Sequence, residues 1–136
     1  MTLVCDAGVI VAALDRRDPQ HERCAALLSA GAATIIPAPV LVEVDWVART
    51  RGARGATDAL LASIDRREVL VVDLDGEDYR RVRALQRTYD DLPLEFVDAA
   101  VVAIAERLEQ TRIATLDRRH LSVVKPLHAT AFELVP

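Results

Sequence analysis

Asp98 lies in FVDAAVVAIAERLEQ, a stretch that is apolar at almost every other position from Phe96 to Ala105. A helix that is apolar on nearly every face is buried. A buried aspartate is costly unless something pairs with it. Asp117 ends the short apolar run from Arg112 to Leu116. The lengths of the two runs bring these acids together. From Asp98 to the helix end near Glu109 is about 16 Å at ~1.5 Å per residue. From Arg112 to Asp117 is about 17 Å at ~3.3 Å per residue. Packed antiparallel across a short loop, helix and strand return both carboxylates to one level, as half of a metal site.

The other half must come from the elements upstream. Thr2–Cys5 reads as a strand ending at Asp6, followed by a helix over Ala7–Leu14. Asp18-Pro19 opens a second helix, with Asp as N-cap and Pro at the first helical position, running to about Ala30 and stopping at Gly31. Thr34–Ile36 is a second strand. Pro37 and Pro39 end it and lead into a helix over Val40–Arg49 that holds Glu43 in its early turns. Thr57 begins a helix that ends near Arg66. Val69–Val72 is a third strand, unbroken and β-branched, as expected of a parallel strand covered on both faces. Asp73–Tyr89 is mostly helix, and Asp90, Asp91 and Pro93 turn the chain into the Asp98 helix. Ala131–Val135 is a last strand. Strands alternating with helices predict an α/β fold, a mostly parallel central sheet of about five strands between helical layers, in one domain over residues 1–136.

In such sheets ligands bind beyond the carboxyl ends of the strands. Asp6 follows the first strand, Glu43 begins the helix after the second, Asp98 begins the helix before the fourth, and Asp117 follows the fourth. All four fall at one edge of the sheet, although they are 37, 55 and 19 residues apart. Each has an ordinary reading as well. Asp6 and Asp117 can cap the turns that follow them, and Glu43 can be a solvated helix residue. Asp98 has the fewest such alternatives. Together the four offer what hard divalent cations require: several anionic oxygens on separate rigid elements. Mg²⁺, or Mn²⁺, would also relieve the mutual repulsion of the acids. Such ions activate water against a phosphodiester and stabilise the leaving oxygen.

Composition narrows the classes. Apolar content of 51% and charged content of 28% fit a globular protein rather than a disordered one. The formal charge is −4, so no overall basic character marks a nucleic-acid binder. The cations are arginine almost throughout, with Lys125 the single lysine. That bias fits either genome composition or bidentate phosphate binding. Cys5 and Cys24 have apolar neighbours and read as small core residues. No Cys/His spacing suggests zinc. No signal-peptide pattern or apolar run of membrane-spanning length stands out, so the expected location is the cytoplasm and no membrane partner is expected.

Four motifs then carry a family resemblance: V-C-D-A-G-V-I-V-A at 4–12, P-A-P-V-L-V-E-V at 37–44, D-L-P-L-E-F-V-D-A-A at 91–100 and I-A-T-L-D-R-R-H-L at 113–121. Together they resemble PIN-domain proteins, and within that group the VapC toxins of bacterial type II toxin–antitoxin modules. The resemblance covers essentially the whole chain. It maps the family's metal-binding, catalytic acids onto Asp6, Glu43, Asp98 and Asp117. It implies a Mg²⁺- or Mn²⁺-dependent endoribonuclease that hydrolyses RNA by metal-activated water. It also implies a homodimer, neutralised by a cognate VapB-type antitoxin. The chain departs from the family at two places. Gly8 stands where a hydroxyl residue or Asn is common, which removes a hydrogen bond near Asp6. Glu95 stands where Gly is common, which adds a carboxylate near the mouth of the site. Thr115 matches the family's Thr before the last acid.

Several residues are candidates on weaker grounds. Arg118, Arg119 and His120 follow Asp117 and can either meet RNA phosphate or form a solvated turn. Arg49, Arg51 and Arg54 form a basic loop suited to RNA or antitoxin, whereas Arg16 and Arg17 lie at the far end of the first helix. His21 and His128 have no partner for a nucleophilic triad. Trp46 and Phe96 read as core or dimer-interface residues. With Tyr89 they are the aromatic side chains left for stacking beside Tyr79 and Phe132, too few for an aromatic surface that binds single strands. Two alternatives stay open. One is a phospho-accepting receiver-like module, which would want an acid pair after the first strand and a lysine near the last. The other is a catalytically inactive PIN fold that binds RNA or a partner.

Overall fold

β1 (Thr2–Cys5) is the middle strand of a five-stranded sheet in the computed structural model, which describes residues 1–136. On one side it pairs with β2 (Ala33–Pro37), and β3 (Val69–Val72) pairs with β2. On its other side lie β4 (Arg112–Ala114) and then β5 (Glu133–Val135). The order is β3-β2-β1-β4-β5 and every pairing is parallel.

The connections follow from that order. β1 to β2 runs through α1 (Ala7–Leu14) and α2 (His21–Leu28), and β2 to β3 through α3 (Ala38–Thr50) and α4 (Ala56–Asp65). Both steps move outward in one direction. The chain then returns through α5 (Gly76–Thr88) and α6 (Phe96–Arg107), past β1, to β4. Right-handed crossovers put helices of opposite travel on opposite faces of the sheet. Strand order therefore reverses between β1 and β4, where an open parallel sheet leaves a crevice at its carboxyl edge.

The core is continuous across these elements. Leu3, Val4 and Cys5 of β1 are fully buried, as are Val9 and Val11 of α1 and Ile113 and Ala114 of β4. Seven consecutive residues of α6, Ala99 to Ala105, are buried. Four of them are alanine, whose short side chains let α6 lie close to β1 and β2. Fully burying Val101, Val102 and Ile104 contributes about 1.5–3 kcal/mol each.

Four expectations about the elements need correction. Asp18 does not cap α2. Its Oδ1 accepts the Gln20 N–H at 2.7 Å in a tight turn and its Oδ2 binds Arg51, so helix begins only at His21. β3 is not covered on both faces; it is an edge strand, half-buried, with Leu70 exposed. β4 stops at Ala114 and α6 at Arg107, both shorter than the patterning suggests. Residues Arg118–Leu121 form a one-turn helix, α7.

A polar knot fixes α5 against α6. Asp75 and Asp78 exchange backbone-to-carboxylate hydrogen bonds of 2.9 and 3.0 Å as a capping box. Asp78 is buried and receives the Arg107 Nε–H at 2.9 Å, while Arg107 also donates to the Asp73 carbonyl at 2.8 Å. Removing Asp78 takes away the shortest acid partner of Arg107 and leaves Asp75, at 3.4 Å, as the only carboxylate facing it. Asp78→Ala should therefore cost about 2–4 kcal/mol, and Asp75→Ala only about 1 kcal/mol as a lost cap. Urea unfolding midpoints check the difference.

Candidate functional site

Asp6, Glu43, Asp98 and Asp117 line a single cavity of about 490 Å³ at the carboxyl edge of the sheet. They reach it from four different elements. Asp6 is the N-cap of α1, its Oδ1 accepting the Ala7 N–H at 2.8 Å, and its own N–H donates to the Ala114 carbonyl at 2.9 Å. Glu43 projects from α3, one residue before the buried Val44. Asp98 lies in the first turn of α6. Asp117 is the N-cap of α7 and accepts the Arg119 N–H at 3.2 Å. The capping readings of Asp6 and Asp117 thus hold together with their place in the cavity. In each, one carboxylate oxygen makes the cap, and the second meets a side chain: Thr115 at Asp6 Oδ2 and Arg119 at Asp117 Oδ2.

Thr115 joins the two strand-end acids. Its hydroxyl lies 3.1 Å from Asp6 Oδ2 and accepts the Asp117 N–H at 3.1 Å. The Asp117 carbonyl stands 3.2 Å away as a second acceptor. One proton serves both acceptors, and the carboxylate is the stronger of the two. Thr115 is 1% exposed, so nothing in solvent competes for that bond.

The electrostatics are uneven. Burial pushes the Asp6 carboxyl up, and the charge of Asp117 adds to it; the Ala7 N–H and the Thr115 hydroxyl oppose both. Burial also raises Glu43, followed by the charges of Asp6, Asp98 and Glu95. Asp98 is pushed up to about 6, by burial first and by Asp6 second, with His120 and the Glu95 N–H acting against them. Asp117 is held below its ordinary value, chiefly by the hydrogen bond from Arg119. Three of the four acids therefore hold protons more readily than free carboxylates. Burial is the largest cause in each, and the charge of neighbouring acids adds to it.

That surplus bears on a metal. As the side chains stand, no three of His, Cys, Asp and Glu converge closely enough to hold an ion. Three of the four acids are drawn to partners of their own: Asp6 to Thr115, Asp98 to His120 Nδ1 at 3.5 Å, Asp117 to Arg119 Nε at 3.3 Å. The donor set nevertheless fits a hard divalent cation: carboxylate oxygens, no soft ligand, and a charge that a cation would relieve. The Arg119 side chain is 82% exposed, so its bond to Asp117 is weak and readily exchanged.

The remaining candidates divide. Glu95 lines the cavity beside Asp98, and Gly8 lines it beside Asp6. A Cβ at Gly8 would meet Leu116 Cβ at 3.7 Å, an ordinary contact. Arg119 and His120 line the cavity too; Arg118 does not, and donates instead to the Pro136 carbonyl. Arg51 was expected only in a basic loop, yet it lines the cavity as well. It lies eight residues beyond Glu43, about 12 Å along the helix at ~1.5 Å per residue, at the far end of α3. Its guanidinium binds the largely buried Asp18 at 2.7 Å. No spacing rule reveals this, because the contact joins two loops 33 residues apart. No lysine lines the cavity, which removes the support a receiver-like module would need; Lys125 donates its backbone N–H to the Tyr89 hydroxyl instead. Trp46 and Phe96 are 66% and 43% exposed, so neither is core.

Comparison with known proteins agrees with this architecture. The PIN domain family matches residues 3–126. Ribonuclease VapC26 of Mycobacterium tuberculosis is 25% identical over 135 residues, covering 98% of this chain and all of that protein. The crystal structure of Mycobacterium tuberculosis VapC20, a sarcin-ricin loop cleaving toxin, superposes with a TM-score of 0.73 at 18% identity, covering 82% of this chain and 87% of that one. VapBC2 from Rickettsia felis, bound to a DNA fragment from its promoter, gives a TM-score of 0.71 at 14% identity over the whole of both chains. At those identities the two structures speak for the fold.

Two tests follow from the charge and the space. The folded Asp98 carboxyl takes its proton near pH 6 and the unfolded one near 3.8. Between those values the folded chain binds more protons, so stability falls as pH rises through 6. In chelator, the melting temperature should rise from pH 7.5 to 5.5. Asp98→Asn should flatten that rise and stabilise the chain at pH 7.5 by about 1–3 kcal/mol. A melting temperature that drops over this range in the parent protein would contradict the charge balance described here. Gly8→Ser should melt no lower than the parent and gain up to about 0.5 kcal/mol from helix propensity.

Proposed function

The chain belongs to the PIN domain family, and on that premise we propose that it is a metal-dependent endoribonuclease, the toxin of a type II toxin–antitoxin module. The observation that carries this reading is the meeting of four carboxylates from four elements in one cavity, three of them pushed toward the protonated form. The whole-length similarity to a ribonuclease supports the substrate class.

Asp6, Glu43, Asp98 and Asp117 are the residues proposed to hold a divalent cation, Mg²⁺ or Mn²⁺. Bound there, the cation would supply a nucleophilic water at neutral pH and neutralise charge on the phosphodiester. Thr115 holds Asp6 and the Asp117 backbone in fixed relation, so that two of the four donors keep their spacing. Arg119 pairs with Asp117 and His120 lies beside Asp98, and both are free to turn to the RNA phosphate when a cation takes their place. Glu95 adds negative charge at the mouth, which favours cation entry and discourages phosphate that arrives alone. No side chain of the chain need act as nucleophile.

The partner proposed to neutralise it is a VapB-type antitoxin, in line with the toxin–antitoxin complexes among its structural neighbours. A homodimer is proposed as well, supported by Val42 and Trp46, which stand one turn apart on α3 at 75% and 66% exposure. No helix is long and apolar enough to cross a membrane.

The test compares RNA cleavage by the parent protein and by Asp98→Asn, in Mg²⁺, in Mn²⁺ and in chelator. Cleavage should require the cation. Asp98→Asn should lose at least ~100-fold, since partners that merely orient metal ligands are already worth 10–100-fold. Equal cleavage in all conditions would sink the metal mechanism. Tight RNA binding without turnover in either ion would identify a binding module on the same fold.

A further inference from the structure

A second cavity, of about 570 Å³, opens between α5 and the start of α6. Tyr79, Arg83 and Arg87 line it from α5 and Phe96 from α6, with Val82 at its base and Asp90 at its rim. Both rings are substantially exposed, Tyr79 at 55% and Phe96 at 43%. The arginines are selected by what they lack. Arg80 on the same helix is tied to Glu77, and Arg81 to Glu106. Arg107, which packs on this helix from α6, is tied to Asp78. Arg83 and Arg87, one turn apart and facing the cavity, have no carboxylate partner and no side-chain hydrogen bond.

This cavity adjoins the acidic one. Glu95 lines the acidic cavity and Phe96, the next residue, lines this one. The amino end of α6 therefore lies between the two cavities, with the carboxylates on one side and two unpaired guanidiniums on the other. An RNA strand whose scissile phosphate lies at the acids must leave the site in some direction. This neighbouring cavity combines two aromatic faces with two guanidiniums that no carboxylate pairs, against one acid, Asp90, in its lining. Guanidiniums grip phosphate bidentately, and an exposed ring offers a stacking face to any base.

We propose that this cavity is a nucleotide subsite, in which the rings of Phe96 and Tyr79 hold one base of single-stranded RNA while Arg83 and Arg87 hold its phosphate. The proposal rests on the reading of the chain as an RNA-cleaving enzyme and extends it to how the strand is oriented. A protein helix is the poorer occupant, because Val82 is the one aliphatic side chain there and two unpaired charges would have to be desolvated. The sparse aromatic content of the chain rules out an extended stacking surface, not a single pocket.

The test measures binding of fluorescein-labelled oligouridine to the full chain by anisotropy in chelator, across a range of salt. Cleavage of longer RNA in Mn²⁺ is measured in parallel. Arg83→Gln with Arg87→Gln should weaken binding about 10-fold and reduce the salt slope by ~0.7, one phosphate contact on a single strand. Phe96→Leu should weaken binding at least about 5-fold with the salt slope unchanged, as loss of a stacked base does. Tyr79→Phe keeps a ring and should bind as the parent. Unchanged affinity in both the double variant and Phe96→Leu would overturn the subsite, even if the parent cleaves RNA normally. So would a parent protein that binds no oligouridine. If instead the substitutions alter only the oligomeric state, read by light scattering, the cavity is an interface between copies and the subsite is wrong. Loss of binding in the variants of a parent that never cleaves would uphold the subsite and refute the nuclease reading.

Discussion

The pairing of β1 with β4 joins Val4 to Ile113 and Cys5 to Ala114, and its last rung is the Asp6 N–H donated to the Ala114 carbonyl. Thr115 stands one residue beyond that rung and its hydroxyl reaches Asp6; Asp117 stands two further on and donates its N–H to the same hydroxyl. The spacing of the two strand-end acids is thus set by backbone pairing and one buried oxygen, not by flexible side chains. A slip in this register would separate Asp6 from Asp117 and uncover the fully buried Ile113. The fold defends the register with the same apolar contacts that give it stability. In this sheet the demands of folding and of the site coincide at one pair of strands.

They diverge in the charge. Asp6, Glu43 and Asp98 are each raised first by burial and then by neighbouring acids (Asp6 by Asp117, Glu43 by Asp6 and Asp98, Asp98 by Asp6), so the folded state carries a repulsion the unfolded chain does not. Arg119 and His120 offset part of it, yet Arg119 is almost fully exposed and the His120–Asp98 contact is 3.5 Å. These are loose partners. Compare Asp78, buried within the α5–α6 knot, which receives Arg107 and a cap N–H in fixed geometry. The chain satisfies a structural acid completely and leaves the cavity acids half-satisfied. Such incomplete pairing at one edge, supported by complete pairing elsewhere, is what a ligand site requires.

The sequence reveals the acids because burial and strand ends are local properties. Asp98 stands out against an apolar helix whichever way that helix is turned, and Asp6 and Asp117 follow short β-branched runs directly. Glu43 depends on helix face, which Val42 and Val44 on either side do not fix; the cavity settles its direction. What escaped prediction depends on distant parts of the chain. The first turn of α2 is lost because Asp18 serves Gln20 and Arg51 instead, and Arg51 comes from another crossover. β3 reads as a covered strand because four aliphatic residues look alike in the middle or at the edge of a sheet. Only the order β3-β2-β1-β4-β5 decides between them. Phe96 reads as core or interface in an apolar sequence and stands partly exposed, where it opens α6.

Arginine pairing gives the surface its direction. A chain of formal charge −4 does not attract a polyanion as a whole, so any phosphate contact must come from local imbalance. Most arginines around α5 and α6 are neutralised in place by Glu77, Glu106 and Asp78. Each such pair removes one guanidinium from competition and holds a helix in position. The positive field that remains is confined to the few side chains with no acid to face. On α5 those are Arg83 and Arg87, on the side of the α6 amino end away from the acidic cavity. On the proposed reading, opposite charges on the two sides of one helix start would give an approaching strand a polarity: a cation and the reacting phosphate on the acidic side, an adjoining phosphate on the basic side. A site of four acids alone could not supply that polarity, because it would repel every phosphate equally until a cation was bound.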